Sequence, residues 1–534
     1  MRINKYFIDI FIVLFLVFFS FYLGKTYSIY HTDPWHWGSI ASNAKDHING
    51  FKLFKDIVLL WGPGQPILYN IISKFFDINY YSIGLITSLV YTLNLILVYV
   101  ILLSLSSRII ALTIFLFVFS LVPYPQVPWP DFYSGICLSL SCFFLIIKSK
   151  NKNVYLFLSA LFLVLSITFR NSYLITVIPA ILFYILLHKF HRKEIPTNFK
   201  KFFFYFFIFL SIFFFSLAFN DNLILWYEQG LGRLGEYKNL DSTILGYEVN
   251  SSLFLIIKFI YHIFFPARLE NLYFFIIFFF NGILILLFII KKDFFLKILN
   301  ENDKIIFFSI LGLFGIIQSF NQYEIWRHLN SSISLFFVIG FFLNKQFKNK
   351  KLFKTVMVLM IISSFTLFPL PKKNGSQYLS GTNYFPLRGF VLNNKFVYNP
   401  KLYSNINISF FNGHLFNEDH NYYYNEIKRI ICVYDKIINY SIDRTLGYIC
   451  ENKNLIISTY PRNNGRPIFH KPELETKYSE FNLDKNEIIV ADKYFSNNNV
   501  RLIKIINLPK YTRYTYSDTF MRYFDQELYI YVTK

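Results

Sequence analysis

Several residues of this chain carry side chains able to do chemistry at positions where apolar segments end: Asp33, His36, Asp56, Gln65, Asp131, Arg170, Arg327 and His328. A carboxylate takes a proton from a hydroxyl when burial raises its pKa. Asp33 and Asp131 are the candidates for that role. A planar guanidinium grips a departing phosphate through its fork of N–H donors. Arg170 and Arg327, with His328 beside the latter, are the candidates here. His36, Asp56 and Gln65 lie in the same early loop as Asp33 and are candidate substrate contacts. Base and cations together suit transfer from a phosphate leaving group to a hydroxyl. His31-x-Asp33-x-x-His36 also has ligands for a divalent cation, but three residues in one loop make a weak metal signature.

Each residue also has a purely structural use. Asp33-Pro34 is a helix start, with Asp as cap and Pro at the first helical position. Asp131 follows Pro130 at another helix start. The arginines suit interfacial anchoring, and Trp35, Trp37 and Trp61 suit the aromatic belt of a membrane protein. Asp56 follows Lys55 and is placed to pair with it.

The elements that must position these groups are membrane helices. The chain has 534 residues, 54% hydrophobic, with 67 Phe and 40 Tyr. Only 16% are charged, against about 25% in a soluble globule. Apolar runs recur and are read as spans of a hydrocarbon core, the third of them short: 6–23, 79–105, 109–122, 131–147, 153–169, 172–188, 202–219, 272–290, 305–320, 331–344 and 352–369. The fold class expected is an α-helical polytopic membrane protein of about 11 spans, residues 1–369, followed by a soluble α/β domain at 370–534. The first run is too long for a signal peptide and lacks a small-residue cleavage site, so it is read as a retained span.

Alternate short loops concentrate Lys and Arg: Arg2 and Lys5, Arg108, Lys148 to Lys152, Lys189 to Lys201, Lys291 to Lys304, and Lys345 to Lys354. By the positive-inside rule these face the cytoplasm, as does the N-terminus. The net charge of +21 follows from this pattern, and no basic module with stacking aromatics argues for nucleic acid. Loops 24–78 and 220–271 and the tail then face outward. So do the candidate residues. The spans hold no charge at mid-depth, which disfavours an ion-coupled transport path.

Within the first outer loop, helices are expected from Asp33 to Asn49, stopped by Gly50, and from Ile67 to Phe76. The rigid turn Trp61-Gly62-Pro63-Gly64-Gln65-Pro66 separates them. Both helices should lie along the membrane interface. The glycine-spaced stretch from Trp226 reads as mobile, and 251–265 as an interfacial helix. In the tail, strands are expected near Ile430–Tyr434, Leu455–Thr459, Glu487–Ala491 and Leu528–Val532, with a helix over 418–431. Cys137 and Cys142 lie in a span as apolar fillers. Cys432 and Cys450 can pair if the tail is outside.

The order of features resembles the GT-C superfamily of polyprenyl-phosphate-dependent glycosyltransferases, which includes protein O-mannosyltransferases and aminoarabinose transferases. Asp33 matches the acid that follows the first span there. Gly50-Phe-Lys-Leu-Phe-Lys-Asp56 and Gly62-Pro63-Gly64 resemble the family's loop elements, with one extra residue. Arg170 and Arg327-His328 resemble its later basic positions. The likeness covers about residues 1–345; it departs at Asp-Pro-Trp-His, where a double acid is usual, and at Asn330-Ser-Ser. It implies an inverting transferase in a bacterial inner membrane. The donor would be a polyprenyl-phosphate sugar taken from the membrane lipid, and the acceptor a glycan, lipid or protein. Asp33 would be the base, and Arg170, Arg327 and His328 would hold the phosphate. A lipid-linked glycan polymerase or ligase, and a flippase for lipid-linked sugar, are the alternative readings.

Overall fold

A computed structural model describes residues 5–30, 36–57, 59–122, 125, 127–147, 149–231, 269–319, 325–346, 403–434, 436–441, 443–450, 487–491, 494, 500–507 and 527–533, and short strands at 243–244, 247–248, 455–458, 460–461 and 467–468. Helices dominate. In chain order they are α1 (Lys5–Tyr30), α2 (His36–Ile48), α3 (Gly64–Ile72), α4 (Tyr80–Leu105), α5 (Arg108–Leu121), α6 (Pro130–Ile146), α7 (Lys152–Phe169), α8 (Tyr173–Phe190) and α9 (Thr197–Phe219). Leu269–Ile290, Lys292–Gly315, Ile325–Ser331 and Ser334–Gln346 follow. A helix stands on every expected apolar run except 352–369, which lies outside the described residues.

Among the described residues, 5 helices are long and apolar enough to cross a membrane: most of α1, then α4, α7, α8 and α9. The apolar stretches in α5, α6, Leu269–Ile290 and Ser334–Gln346 are shorter. Outward chains of α1 and α9, such as Phe11, Phe18, Phe204 and Phe215, stay exposed, as lipid-facing residues must. The Lys292–Gly315 helix is two pieces, because Asn302 leaves helical geometry. The apolar run from Ile305 begins after that break.

The bundle is held by small residues that let helices approach closely. On α6 and α7, Ser141 and Ser159 hydroxyls meet at 3.1 Å, and Ser134 Oγ donates to the Ser166 carbonyl. Where α1 and α2 meet α4, a Cβ on Gly84 would fall 2.0 Å from the Trp37 ring. At the other end, Arg108 Nε donates to Asp9 Oδ1 at 2.6 Å, and Tyr99 OH donates to the same oxygen. Asp9 is thus an ionised group inside the first apolar run, tolerated because its partners neutralise it.

The first loop departs from expectation. Helix α2 is packed into the protein: Trp37, Ile40, Ala41, Ser42, Asn43 and Ala44 are all buried. Trp37 stacks on Tyr80 at 5.1 Å and donates its indole N–H to the Tyr80 carbonyl. It is core, not belt. Helix α3 starts and ends earlier than expected, at Gly64 and Ile72; Ile67 and Ile71 leave an apolar face open, as an interfacial helix should. The 220–271 loop is described at 223–231, a short helix running into a π-helical turn, and in two short paired strands. The expected helix at 251–265 lies outside the described residues.

The tail holds a five-stranded mixed sheet. Its spatial order is Val500–Asn507, Glu527–Thr533, Glu487–Ala491, Lys436–Tyr440, Leu455–Ser458. Lys436–Tyr440 runs parallel to both its neighbours, while the other pairs are antiparallel. The strand expected at Ile430–Tyr434 is displaced: Ile430 and Ile431 finish the helix Glu418–Ile431, and the strand begins at Lys436. The helix wins because Tyr423, Tyr424, Ile427 and Ile431 form one buried stripe. Cys432 and Cys450 form a disulfide.

Three buried titratable groups make the tail pH-sensitive. Burial pushes His414 down to about 4 and His420 to about 3, and lifts Asp443 to about 6. The histidines favour the fold above their ordinary value of about 6.5, and that stability is lost as pH falls. Asp443 acts oppositely, favouring the fold at low pH and losing that contribution as pH rises through about 6. Two groups outweigh one. Acidification from about pH 7 to 5 should cost the tail roughly 2 kcal/mol. Near-ultraviolet circular dichroism melts at the two pH values check this; a higher midpoint at the acid pH refutes it.

Candidate functional site

The candidate site gathers where the Trp61–Gln65 turn meets the ends of α6, α7 and the Ile325–Ser331 helix. Pro130 opens α6, so Asp131 sits in its first turn, wholly buried. Arg170 is the residue on which α7 stops. The two form a buried ion pair between Arg170 Nη1 and Asp131 Oδ2. Each charge also suits its helix end, acid at an N-terminus and base at a C-terminus. Arg170 Nε donates to Ser172 Oγ at 3.1 Å. That hydroxyl in turn donates to Gln318 Oε1. Gln318 Nε2 reaches back to the Ser172 carbonyl at 2.8 Å and to Thr176 Oγ1 at 2.7 Å. Sequence reasoning cast Asp131 and Arg170 in separate roles; folding makes them partners.

The turn Trp61–Gln65 lies on this pair. The Asn171 N–H donates to the Trp61 carbonyl at 2.5 Å, and Gln65 Nε2 donates to the Pro128 carbonyl at 2.7 Å, just before α6. Trp61 meets Trp129 edge-on at 4.8 Å, and the Arg327 guanidinium stands 6.0 Å from the Trp129 ring centre. Below them Tyr69 and Tyr133 hydroxyls meet at 2.5 Å, and Tyr133 reaches Thr87 at 2.7 Å. These bonds tie α3, α4 and α6 together under Asp131.

The 223–231 segment closes one side. Trp226 Nε1 donates to Asn171 Oδ1 at 2.7 Å. Gln229 accepts from the Leu59 N–H at 3.1 Å and donates to the Phe54 carbonyl at 2.7 Å. What reads as a glycine-rich mobile stretch is, at 226–230, bonded to the first loop. A π-turn at such a place is a common mark of functional segments.

The other candidates divide. His328 is fully buried, and burial, with Arg327 next to it, pushes its imidazole down to about 3. It is neutral, so it offers hydrogen bonding rather than positive charge. Asp56 is exposed; its carboxylate accepts from the Lys52 N–H at 2.8 Å and closes its own turn. Its expected partner Lys55 instead pairs with Asp221 at 3.7 Å. Asp33 and His31 lie outside the described residues, as does the side chain of His36, whose backbone opens α2. Among the described residues no three His, Cys, Asp or Glu gather as a metal site.

A groove of about 860 Å³ is walled by α3, the ends of α7 and α9, and the loop at 52–55. Its lining is mostly apolar, including Ile67, Ile71, Phe169, Phe213 and Phe219, with Lys52 and Lys55 at one side. Gly64, Thr168 and Phe169 line it as well, and Phe169 directly precedes Arg170 in the chain.

Sequence reasoning missed Trp129, Asn171, Trp226, Gln229 and Gln318. Asn171 had a signal, since it follows Arg170 directly. Gln229 had none: its partners lie 170 residues away along the chain. In comparisons with known proteins, no family model matches the chain and no curated protein is similar to it.

Proposed function

We propose that this chain is a membrane glycosyltransferase that moves a sugar from a polyprenyl-phosphate donor to an acceptor hydroxyl at the outer face of a bacterial inner membrane. The observation that supports the reading most is the apolar groove along the end of α7, the helix that stops at Arg170 of the buried Asp131–Arg170 pair. A prenyl chain needs an apolar trough open to lipid, and its phosphate needs cations at the trough's polar end. Lys52 supplies charge at the rim, where Lys55 is paired with Asp221, and Arg170 directly follows the lining residue Phe169.

In this mechanism Asp33 takes the proton from the acceptor hydroxyl as its oxygen attacks the anomeric carbon. The bond from that carbon to the phosphate oxygen breaks, and polyprenyl phosphate leaves with the bonding pair. Asp131 orients Arg170, and Gln65 holds the start of α6 in place. The Cys432–Cys450 disulfide fits a tail outside the cytoplasm, where such bonds persist. Crossing of the membrane by the shorter apolar helices, with the N-terminus inside, belongs to the same reading.

The test is transfer of labelled sugar from polyprenyl phosphate in membranes. Asp33→Asn should reduce transfer by roughly 10²–10⁴-fold, the range for a lost general base. Full activity in that variant removes Asp33 from the mechanism.

A further inference from the structure

Among the described residues, contacts from the tail to the membrane part include two that flank one short link. Helix α1 ends at Tyr30 and α2 begins at His36, and the residues between carry Asp33. On the first flank the tail caps α1. The last carbonyls of a helix have no partner inside it. Here the Leu415 N–H donates to the Ile29 carbonyl at 2.7 Å, and His414 Nδ1 bonds the Ser28 carbonyl at 2.9 Å. The His414 ring is buried against Tyr80 at 4.9 Å. On the second flank the phenol of Tyr448 bonds Asp46, near the end of α2. Tyr448 is fixed from behind by stacking on Phe410 at 4.9 Å. It closes the short 3-10 helix Arg444–Tyr448, and Cys450, two residues on, is tied to Cys432 at the end of the Glu418–Ile431 helix.

We infer that the tail is a disulfide-stapled brace whose Tyr448–Asp46 and His414–Ser28 contacts set the position of α2 and the end of α1, and that Tyr448 and Asp46 are positioning residues for the first outer loop. Two features support this over a tail that is merely tethered. Its contacts fall on helix ends rather than on the lipid-facing sides, and capping bonds at a helix end are directional. The staple also lies in the segment that bears the contact residue. Freezing the turn at 444–448 relative to the Glu418–Ile431 helix removes conformers in which Tyr448 points away. The consequence for catalysis rests on the transferase reading above; the positional claim does not.

Hydrogen exchange of the full chain in detergent, read over 26–48, tests the brace directly. Tyr448→Phe and Asp46→Ala should each raise exchange of these peptides about 10-fold, the loss expected for a bond to a charged acceptor. The double variant should add little to either single. Asp46→Asn keeps an acceptor oxygen without the charge and should fall between the parent and Asp46→Ala. Cutting the staple with a dithiol reductant, which takes the disulfide to two thiols, should also raise exchange at 26–48. Tyr448→Phe guards against a tail that unfolds without its disulfide, because it removes a single hydroxyl. Unchanged exchange at 26–48 in Tyr448→Phe and Asp46→Ala overturns the brace, as does an Asp46→Asn variant that behaves like Asp46→Ala. In the transfer assay Tyr448→Phe should lower kcat more than it changes KM, and Asp46→Asn should lose less of the rate than Asp46→Ala. Exchange that responds in a chain showing no transfer at all supports the brace and removes the transferase reading alone.

Discussion

Asp131→Ala should destabilise the chain by about 3–5 kcal/mol and abolish transfer. The reason is the guanidinium it leaves behind. Arg170 is 7% exposed, and Asp131 is fully buried. With the carboxylate gone, an Arg charge stays in a low-dielectric site next to Ser172 and Gln318, which are neutral. Removing both charges is far milder. Asp131→Leu with Arg170→Met replaces the pair by apolar chains of similar bulk, and such replacements of buried pairs are often close to neutral. Thermal unfolding in detergent should therefore rank the single Asp131→Ala below the double, with the parent close to the double. Transfer should be lost in both. Recovery of stability without recovery of activity separates the pair's chemical role from its structural one. A single variant as stable as the parent refutes the buried-pair account.

Gly62→Ala is the second large effect. Gly62 has φ +148, a backbone conformation that only glycine adopts without strain. A Cβ there would also lie 2.4 Å from the Thr168 carbonyl oxygen and 2.9 Å from Asn171 Oδ1. The first obstacle is backbone and does not yield. The turn must lift off the end of α7, which breaks the Asn171 N–H bond to the Trp61 carbonyl and disturbs the Trp226 contact. Strain of roughly 1–3 kcal/mol and overpacking of similar size should add. In the purified chain the melting midpoint should fall, and transfer should drop at least ten-fold. Gly50→Ala is the control. Gly50 also has positive φ, but nothing lies within 4 Å of its would-be Cβ. It should cost strain alone and leave transfer nearly intact. Equal loss in the two variants would show that Gly62 matters only as a flexible residue.

The sequence alone settled those features that depend on local patterning. A span declares itself by composition over a short window, since lipid forces each helix to satisfy its own backbone. The helix positions from α4 to α9 were readable to within a few residues for this reason. The first turn of α6 was readable because Pro130 can only begin a helix there. The turn Trp61–Pro66 was legible through its glycines and prolines. The sequence also put Asp131 at the start of one helix and Arg170 at the end of the next.

Tertiary structure decided what those groups do to one another. Spacing along the chain does not show that Asp131 and Arg170 pair, because the two ends meet only when α6 packs on α7 through Ser134 and Ser166. Nor does it show that Trp37 is core, since a tryptophan beside a span fits the belt equally well; burial followed from the packing of α1, α2 and α4. Lys55 could not be separated from Asp56 in sequence, yet the turn aims it at Asp221. The strand at Lys436 was placed six residues early because the isoleucines at 430 and 431 serve a helix stripe as readily as a strand. The tail's grip on Ser28, Ile29 and Asp46 joins residues hundreds of positions apart, and no local pattern encodes such a contact. Periodicity and turn chemistry are local and so survive in the sequence, whereas ion pairs, caps supplied by distant segments and shared clefts exist only after helices have packed.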